Sequence, residues 1–320
     1  MKRAIQEAVA AIRNCQRVAL ASHVNPDGDA LGCILALMHA LKYLGSEAVP
    51  LSHDGVPVIY SWMPGADLIL NDTTRRDFDL AIVCDAGRLD RVGRVRPAVE
   101  SAPIIIDIDH HVSEGPFGSI QVLNRKAAAT AEIVHQLICA LDIPISFPIA
   151  QCLLTGLITD TGSFRFMNVT PKTFMLSARL MRSGASPSLI ADMVFEQRSV
   201  ASLKLLGRAL NSLQVSEDGL ISWAHITACD FLELNADDAE TEGIVNQVRA
   251  VRGALVGLLF REIPGRQVRV SLRSREGFDV NAVAAQFGGG GHQLAAGCSV
   301  DGPLNSAEQM VLAEVRRCMV

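Results

Sequence analysis

The chain has 320 residues, 49% of them hydrophobic and 20% charged, with a formal net charge of −5 at neutral pH. That length allows two packed domains, since single cores stop growing at roughly 250–300 residues. The charge excludes a long duplex nucleic-acid footprint, which needs a basic face, and no run approaches the ~20 apolar residues that cross a bilayer.

In MKRAIQEAVAAIRNC, Ile5, Ala8, Val9 and Ile12 recur at helical spacing around Glu7 and Arg13. This predicts an amphipathic helix in place of a secretory signal, and with it a cytoplasmic location. RVALAS (17–22) reads as a strand, ALGCILALMHALKYLG (30–45) as a helix closed by Gly45, and SEAVPLSHD as a second strand. LAIVCDAG (80–87) and PIIIDIDHH (103–111) are apolar runs that end abruptly in acidic residues or histidine. Such runs separated by helices predict a parallel sheet covered on both faces, with ligands gathering beyond the carboxyl ends of its strands. Helices are expected at 129–143, 148–164 and 172–183. From 213 the pattern changes: GLISWAHIT, ALVGLLFREI and RQVRVSLRS are strand-like, and a last helix starts near Ser306. The expected organisation is a parallel-sheet domain over 1–187, a helical linker over 188–212 and a smaller α+β domain over 213–320. The eight cysteines include no C-x-x-C pair, and Cys84 and Cys139, in apolar runs, are read as small buried hydrophobes.

Four short acidic motifs carry the chemistry: HVNPDGD at 23–29, CDAG at 84–87, DHH at 109–111 and TDTG at 159–162. His23, Asp27, Asp29, Asp85, His110 and Asp160 supply two imidazoles and four carboxylates. Turn chemistry explains Asp27-Gly28-Asp29 taken alone, and Asp85 or Asp160 alone could cap or end a helix. Adjacent His110 and His111 gain nothing obvious from burial, and the joint placement of these groups at strand and helix ends points to a metal centre. A mixed oxygen and nitrogen set suits Mn²⁺ or Mg²⁺ better than zinc. A close pair of such ions can generate hydroxide and stabilise an in-line phosphoryl displacement. His39, His53, His135 and His225 lack such company and are read as structural or surface residues. A second motif, FGGGGHQLAAG at 287–297, offers backbone N–H groups for a phosphate or base, with His292 at its edge. It lacks the lysine of a phosphate-binding Walker loop. Arg273 in SLRS is the nearby guanidinium fork for a phosphate.

These motifs in this order resemble the DHH phosphoesterase superfamily, and GGGGHQLAAG resembles the hallmark of its DHHA1 domain. The resemblance covers nearly the whole chain and is nearest to NrnA-type oligoribonucleases and pAp phosphatases. It implies an α/β fold, with an N-terminal parallel-sheet DHH domain flanked by helices and a smaller α+β C-terminal DHHA1 domain. It implies two divalent cations, Mn²⁺ preferred and Mg²⁺ as the alternative. His23 and Asp27 would bind one; Asp29, His110 and Asp160 the other; Asp85 would bridge. His111 would face the scissile phosphate, making it and Asp85 the catalytic pair, and Asp109 would orient an imidazole. Arg273, Gly289, Gly290, Gly291 and His292 would hold the substrate. The expected activity is hydrolysis of very short RNA and of linear dinucleotides such as pApA to mononucleotides, and removal of the 3′-phosphate of pAp (3′-phosphoadenosine 5′-phosphate). The alternatives are a cyclic-dinucleotide phosphodiesterase and a catalytically idle nucleotide-binding regulator. Long duplex DNA and membranes are not expected partners; a homodimer is.

Overall fold

The computed structural model describes residues 1–111, 115, 117–265 and 267–319. Its two compact units are Met1–Gln197 and Arg198–Val320. In the first, the apolar runs form β1 (Arg17–Ala21), β2 (Glu47–Leu51), β3 (Leu80–Cys84), β4 (Ile105–Asp109) and β5 (Ile120–Leu123). They make one parallel sheet in the order β2-β1-β3-β4-β5. The helices are α1 (Lys2–Arg13), α2 (Gly28–Tyr43), α3 (Arg96–Glu100), α4 (Thr130–Ala140), α5 (Phe147–Asp160), α6 (Pro171–Arg182) and α7 (Pro187–Ala191).

Alternate strand residues divide between two cores, as a two-residue side-chain period requires. Val18, Leu20, Ile82, Cys84, Ile106 and Ile108 join α1, α2, α4 and α5 on one face. Ala19, Ala21, Ala81 and Val83 pack with Val92, Val95 and Val99 on the other. The continuously apolar α2 is buried almost all round because it lies beneath α5. Glycine sets how near these two helices come. A Cβ on Gly32 would stand 2.5 Å from the Cys152 carbonyl oxygen, and one on Gly156 2.5 Å from Asp29 Oδ1. The strand order changes direction between β1 and β3, and the crevice at their carboxyl ends is the ligand position in such sheets.

The second unit contains α8 (Val200–Asn211), β6 (Gln214–Val215), β7 (Ile221–Ile226), α9 (Ala228–Leu234), α10 (Ile244–Arg249), β8 (Val256–Glu262), β9 (Val268–Ser274), α11 (Val280–Ala285), β10 (Gly290–His292), β11 (Ala295–Val300) and α12 (Leu304–Met319). Its mixed sheet runs β10-β11-β9-β8-β7-β6. Only β7 and β8 pair in parallel among its described strands, across the connection carrying α9 and α10. One core includes α11 and α12, the other α8, α9 and α10. Residues 188–212 divide between the units: Ile190 joins the core beneath α5, whereas Leu205 and Ala209 pack against β7.

Cys84 is buried, but Cys139 is exposed, against expectation. The apolar run LICAL belongs to α4, whose buried stripe takes Leu137 and Ile138 and turns Cys139 outward. No helix among the described residues is long and apolar enough to cross a membrane.

Candidate metal centre and arginine groove

Each metal-competent side chain stands where an element ends. His23 follows β1, Asp85 follows β3, Asp109 closes β4, and Asp160 closes α5. Asp27 is the N-cap of α2, its Oδ1 accepting from the N–H groups of Asp29 and Ala30 at 3.0 and 2.9 Å. Asp85 has left-handed backbone, φ 60°, which turns its side chain out of the strand into the cluster. Ligand atoms of His23, Asp27 and Asp85 lie within 4.8 Å of one another, as do those of Asp29, His110 and Asp160, and those of Asp85, His110 and His111. Asp85 belongs to two of these groups. Its Oδ2 is 3.6 Å from His23 Nε2, and its Oδ1 is 3.7 Å from His110 Nε2.

The hydrogen bonds orient the imidazoles. His23 Nδ1 lies 2.8 Å from its neighbour's carbonyl at Val24, and His110 Nδ1 3.2 Å from the Ala127 carbonyl. A carbonyl only accepts, so these contacts place a proton on Nδ1 and turn Nε2 toward the carboxylates, where it can bind a metal once it carries no proton of its own. His110 Nε2 and Asp160 Oδ2 are buried without a hydrogen-bond partner among the described residues and stand 3.4 Å apart. Buried orphans of this kind call for a missing atom between them. Asp109 works differently: its Oδ1 accepts from His111 N and from His111 Nδ1, and its Oδ2 from Gly87 N.

Charge leads to the same requirement. Burial first, then the charges of Asp85 and Asp160, raises Asp29 well above the usual carboxylate range, against the Thr130 N–H. Burial, followed by Asp85 and Asp27, pushes Asp160 up to about 8. Burial also raises Asp27, with Asp85 adding to it. For Asp85 itself burial is outweighed by hydrogen bonds from His111 and His23, which hold it below the usual range. Bonds to Asp109 and Asp85 raise His111 to about 11. Four carboxylates this close ionise together only when positive charge is supplied, and the donor set fits divalent cations.

The second unit carries a groove of about 630 Å³ whose wall includes Arg261, Arg269, Ser271, Arg273, Gly288, Gly289 and Gly290. Arg273 faces Ala295 on one neighbouring strand and Gly257 on the other, so small residues leave room for its guanidinium. Its burial depresses it from the ordinary arginine value, with Glu242 opposing. Arg261 and Arg269 both pair with Asp238. Gly291 and His292 continue β10 outside the groove wall. The glycines are here for packing too: a Cβ on Gly289 would meet the Gly297 carbonyl oxygen at 2.2 Å.

Of the isolated histidines, His39 contacts the Pro64 carbonyl, His53 accepts from Arg94 N, and His225 pairs with Glu308. Sequence reasoning missed Thr130, whose N–H and hydroxyl reach Asp29 and Asp85. It missed Asn168, whose amide nitrogen bonds both the Ala128 and Asp160 carbonyls. The only sequence signal for Thr130 was a hydroxyl at the start of a helix following the DHH motif; for Asn168 there was none.

An open parallel α/β sheet with a carboxylate–imidazole cluster at its switch point defines a divalent-metal-binding domain. Residues 17–157 match the DHH family N-terminal domain and residues 224–320 match the DHHA1 domain. This chain belongs to the DHH family. It is 34% identical over 299 residues to the bifunctional oligoribonuclease and PAP phosphatase NrnA of Thermus thermophilus, covering 93% of this chain and 88% of that one. Its identity to the Bacillus subtilis protein of the same name is 28%, over 88% of this chain and 89% of the other. Among solved structures, an exopolyphosphatase-related protein from Bacteroides fragilis superposes with a TM-score of 0.93 at 26% identity, covering 99% of this chain and 96% of that one.

Proposed function

We propose that this chain is a metal-dependent hydrolase that cleaves very short RNA and linear dinucleotides such as pApA to mononucleotides, and removes the 3′-phosphate of pAp. The observation that carries this reading is the orphaned pair His110 Nε2 and Asp160 Oδ2, buried 3.4 Å apart beside Asp29. The two NrnA relatives, which bear both activities in their names and align with nine-tenths of the chain, support the substrate class.

In this reading His23 and Asp27 would hold one cation and Asp29, His110 and Asp160 the other, and Asp85 would serve both. Two divalent cations, Mn²⁺ in preference to Mg²⁺, would supply Lewis-acid stabilisation and lower the pKa of water. His111, oriented by Asp109, stands ready to give a proton to the leaving oxygen or to stabilise charge on the phosphate. Arg273 and the glycines 289–291, with His292, would hold the terminal nucleotide or its phosphate, Arg273 through its two-pronged guanidinium. The division of labour is a catalytic DHH domain within 1–187, a helical linker over 188–212 and a substrate-binding DHHA1 domain within 213–320. The protein would act in the cytoplasm as a homodimer, without long duplex DNA or membrane as a partner.

The test is a time course on 5′-labelled pApA, an RNA pentamer and pAp, each with Mn²⁺ and with chelator. Chelator-sensitive turnover of pApA and of pAp is expected. Idleness toward all three with Mn²⁺ present would sink the proposal, and tight binding of pApA without turnover would make the chain a nucleotide-binding regulator. Faster turnover of cyclic than of linear dinucleotide would move it to the cyclic-dinucleotide class.

A further inference from the structure

Thr130 is fully buried and opens α4. Its hydroxyl donates to Asp85 Oδ1 at 2.9 Å, and its N–H donates to Asp29 Oδ2 at 2.6 Å. The next N–H, of Ala131, donates to Asp29 Oδ1 at 3.0 Å. One helical turn therefore grips two carboxylates that come from different elements. The hydroxyl is not spent on capping its own helix, because Ala129 holds the N-cap position and the bond crosses to Asp85.

The bond to Asp85 matters because the terminal torsion of an aspartate is broad and sets no orientation by itself. Asp27, Asp29 and Asp160 crowd the same space and repel the group from several sides. His111 Nδ1 is 3.2 Å from Asp85 Oδ1 but closer, 2.9 Å, to Asp109 Oδ1. His111 is shared with Asp109 and His23 stands 3.6 Å away, so the Thr130 hydroxyl makes the shortest bond to the Asp85 carboxylate and does most to fix its plane. With Oδ1 held toward α4 and His110, Oδ2 is turned toward His23. Each carboxylate oxygen has about two acceptor directions, and the Thr130 hydroxyl occupies only one of those at Oδ1.

We infer that Thr130 is a positioning residue: its hydroxyl sets the rotation of Asp85 so that one oxygen serves each cation, while the first turn of α4 holds Asp29 in the same frame. The α4 macrodipole favours both carboxylates as anions. Two further contacts keep this turn in place. Thr173 Oγ1 donates to Glu132 Oε1 at 2.7 Å, and Asn168 donates to the Ala128 carbonyl. The inference rests on the two-cation reading above.

The experiment is Mn²⁺ titration of the full chain and of Thr130→Val, followed by calorimetry and by electron paramagnetic resonance, which reports coupling between paired Mn²⁺ ions. Thr130→Val keeps the branched shape and removes the hydroxyl. It is expected to weaken uptake of the second ion by about 10–100-fold, the usual loss when a group orienting a metal ligand is removed, and to lose the coupled signal. Turnover of pApA should recover as Mn²⁺ is raised, and Thr130→Ser should restore affinity and coupling. Two coupled ions at wild-type affinity in Thr130→Val would overturn the inference. So would Thr130→Ser behaving like Thr130→Val, since the methyl group would then be what matters. Should valine block folding, Thr130→Ala against Thr130→Ser reads the same contrast. Failure of the wild-type chain to bind two coupled ions would instead refute the two-cation reading.

Discussion

Asp107 lies on β4 two residues before Asp109, fully buried, and the Phe117 N–H is the one donor that reaches it among the described residues. Burial and then the charge of Asp109 push it up to about 7, with the Phe117 N–H opposing. A folded-state value above the unfolded one means that the fold holds this proton. The associated stability is complete below about pH 4 and is lost as pH rises through 7. Asp107→Asn, which cannot ionise, should therefore melt near wild type at pH 4 and gain up to about 4 kcal/mol over it at pH 8. Melting curves across that range check it, and a gap that does not grow with pH would show that Asp107 stays ionised at no cost. At the groove, Arg273→Ala should raise KM for pApA by about 10–100-fold and leave kcat near wild type, because a charged hydrogen bond is worth about 1.5–3 kcal/mol. Loss in kcat with KM unchanged would mean that Arg273 acts in the transition state.

The elements themselves were largely legible. Apolar runs ending in Asp or His became strands whose ends carry the cluster, since a strand buried on both faces can place polar residues only where it stops. What sequence could not show were contacts between elements. Gly156 sits in the helical run TGLITD without any local reason for glycine, and its reason is Asp29, on another helix. Gly156→Ala would put a methyl 2.5 Å from Asp29 Oδ1 and 3.1 Å from the Ala131 Cβ. That overpacking should cost about 1–3 kcal/mol of stability and weaken Mn²⁺ uptake, despite the better helix propensity of alanine. Denaturant midpoints and Mn²⁺ titration would show it; a gain in stability would mean that α2 and α5 separate freely. The glycine run was also only half legible. Composition suggested an open phosphate loop, yet part of it is strand β10, where a Cβ on Gly291 would stand 2.4 Å from the Ala295 carbonyl oxygen of β11.

At the scale of the molecule, a net charge of −5 conceals two units of different electrostatic character. The first gathers buried carboxylates; the groove of the second is walled by arginines. Composition sums the two and so reports neither, whereas the motif order showed the division. The acidic cluster should make stability depend on metal. Mn²⁺ at about 100 times its dissociation constant should add about 2.7 kcal/mol to the first unit if one ion binds only the folded form. Chelator should remove that gain in a thermal scan, and a melting curve indifferent to both would argue that the cluster is held by internal hydrogen bonds alone.

The left-handed backbone at Asp85 has a further consequence, for mutational tolerance. At φ 60° most side chains crowd their own backbone, and Gly, Asn and Asp are the residues that settle there readily. Backbone geometry thus narrows the choice to three residues, and charge narrows it to one. Asp85→Ala would mix loss of the shared carboxylate with a backbone cost of about 1–2 kcal/mol, whereas Asp85→Asn isolates the charge. In a saturation library at this codon, folded yield and turnover should rank the substitutions differently: Asn and Gly among the well-expressed, Asp alone among the active.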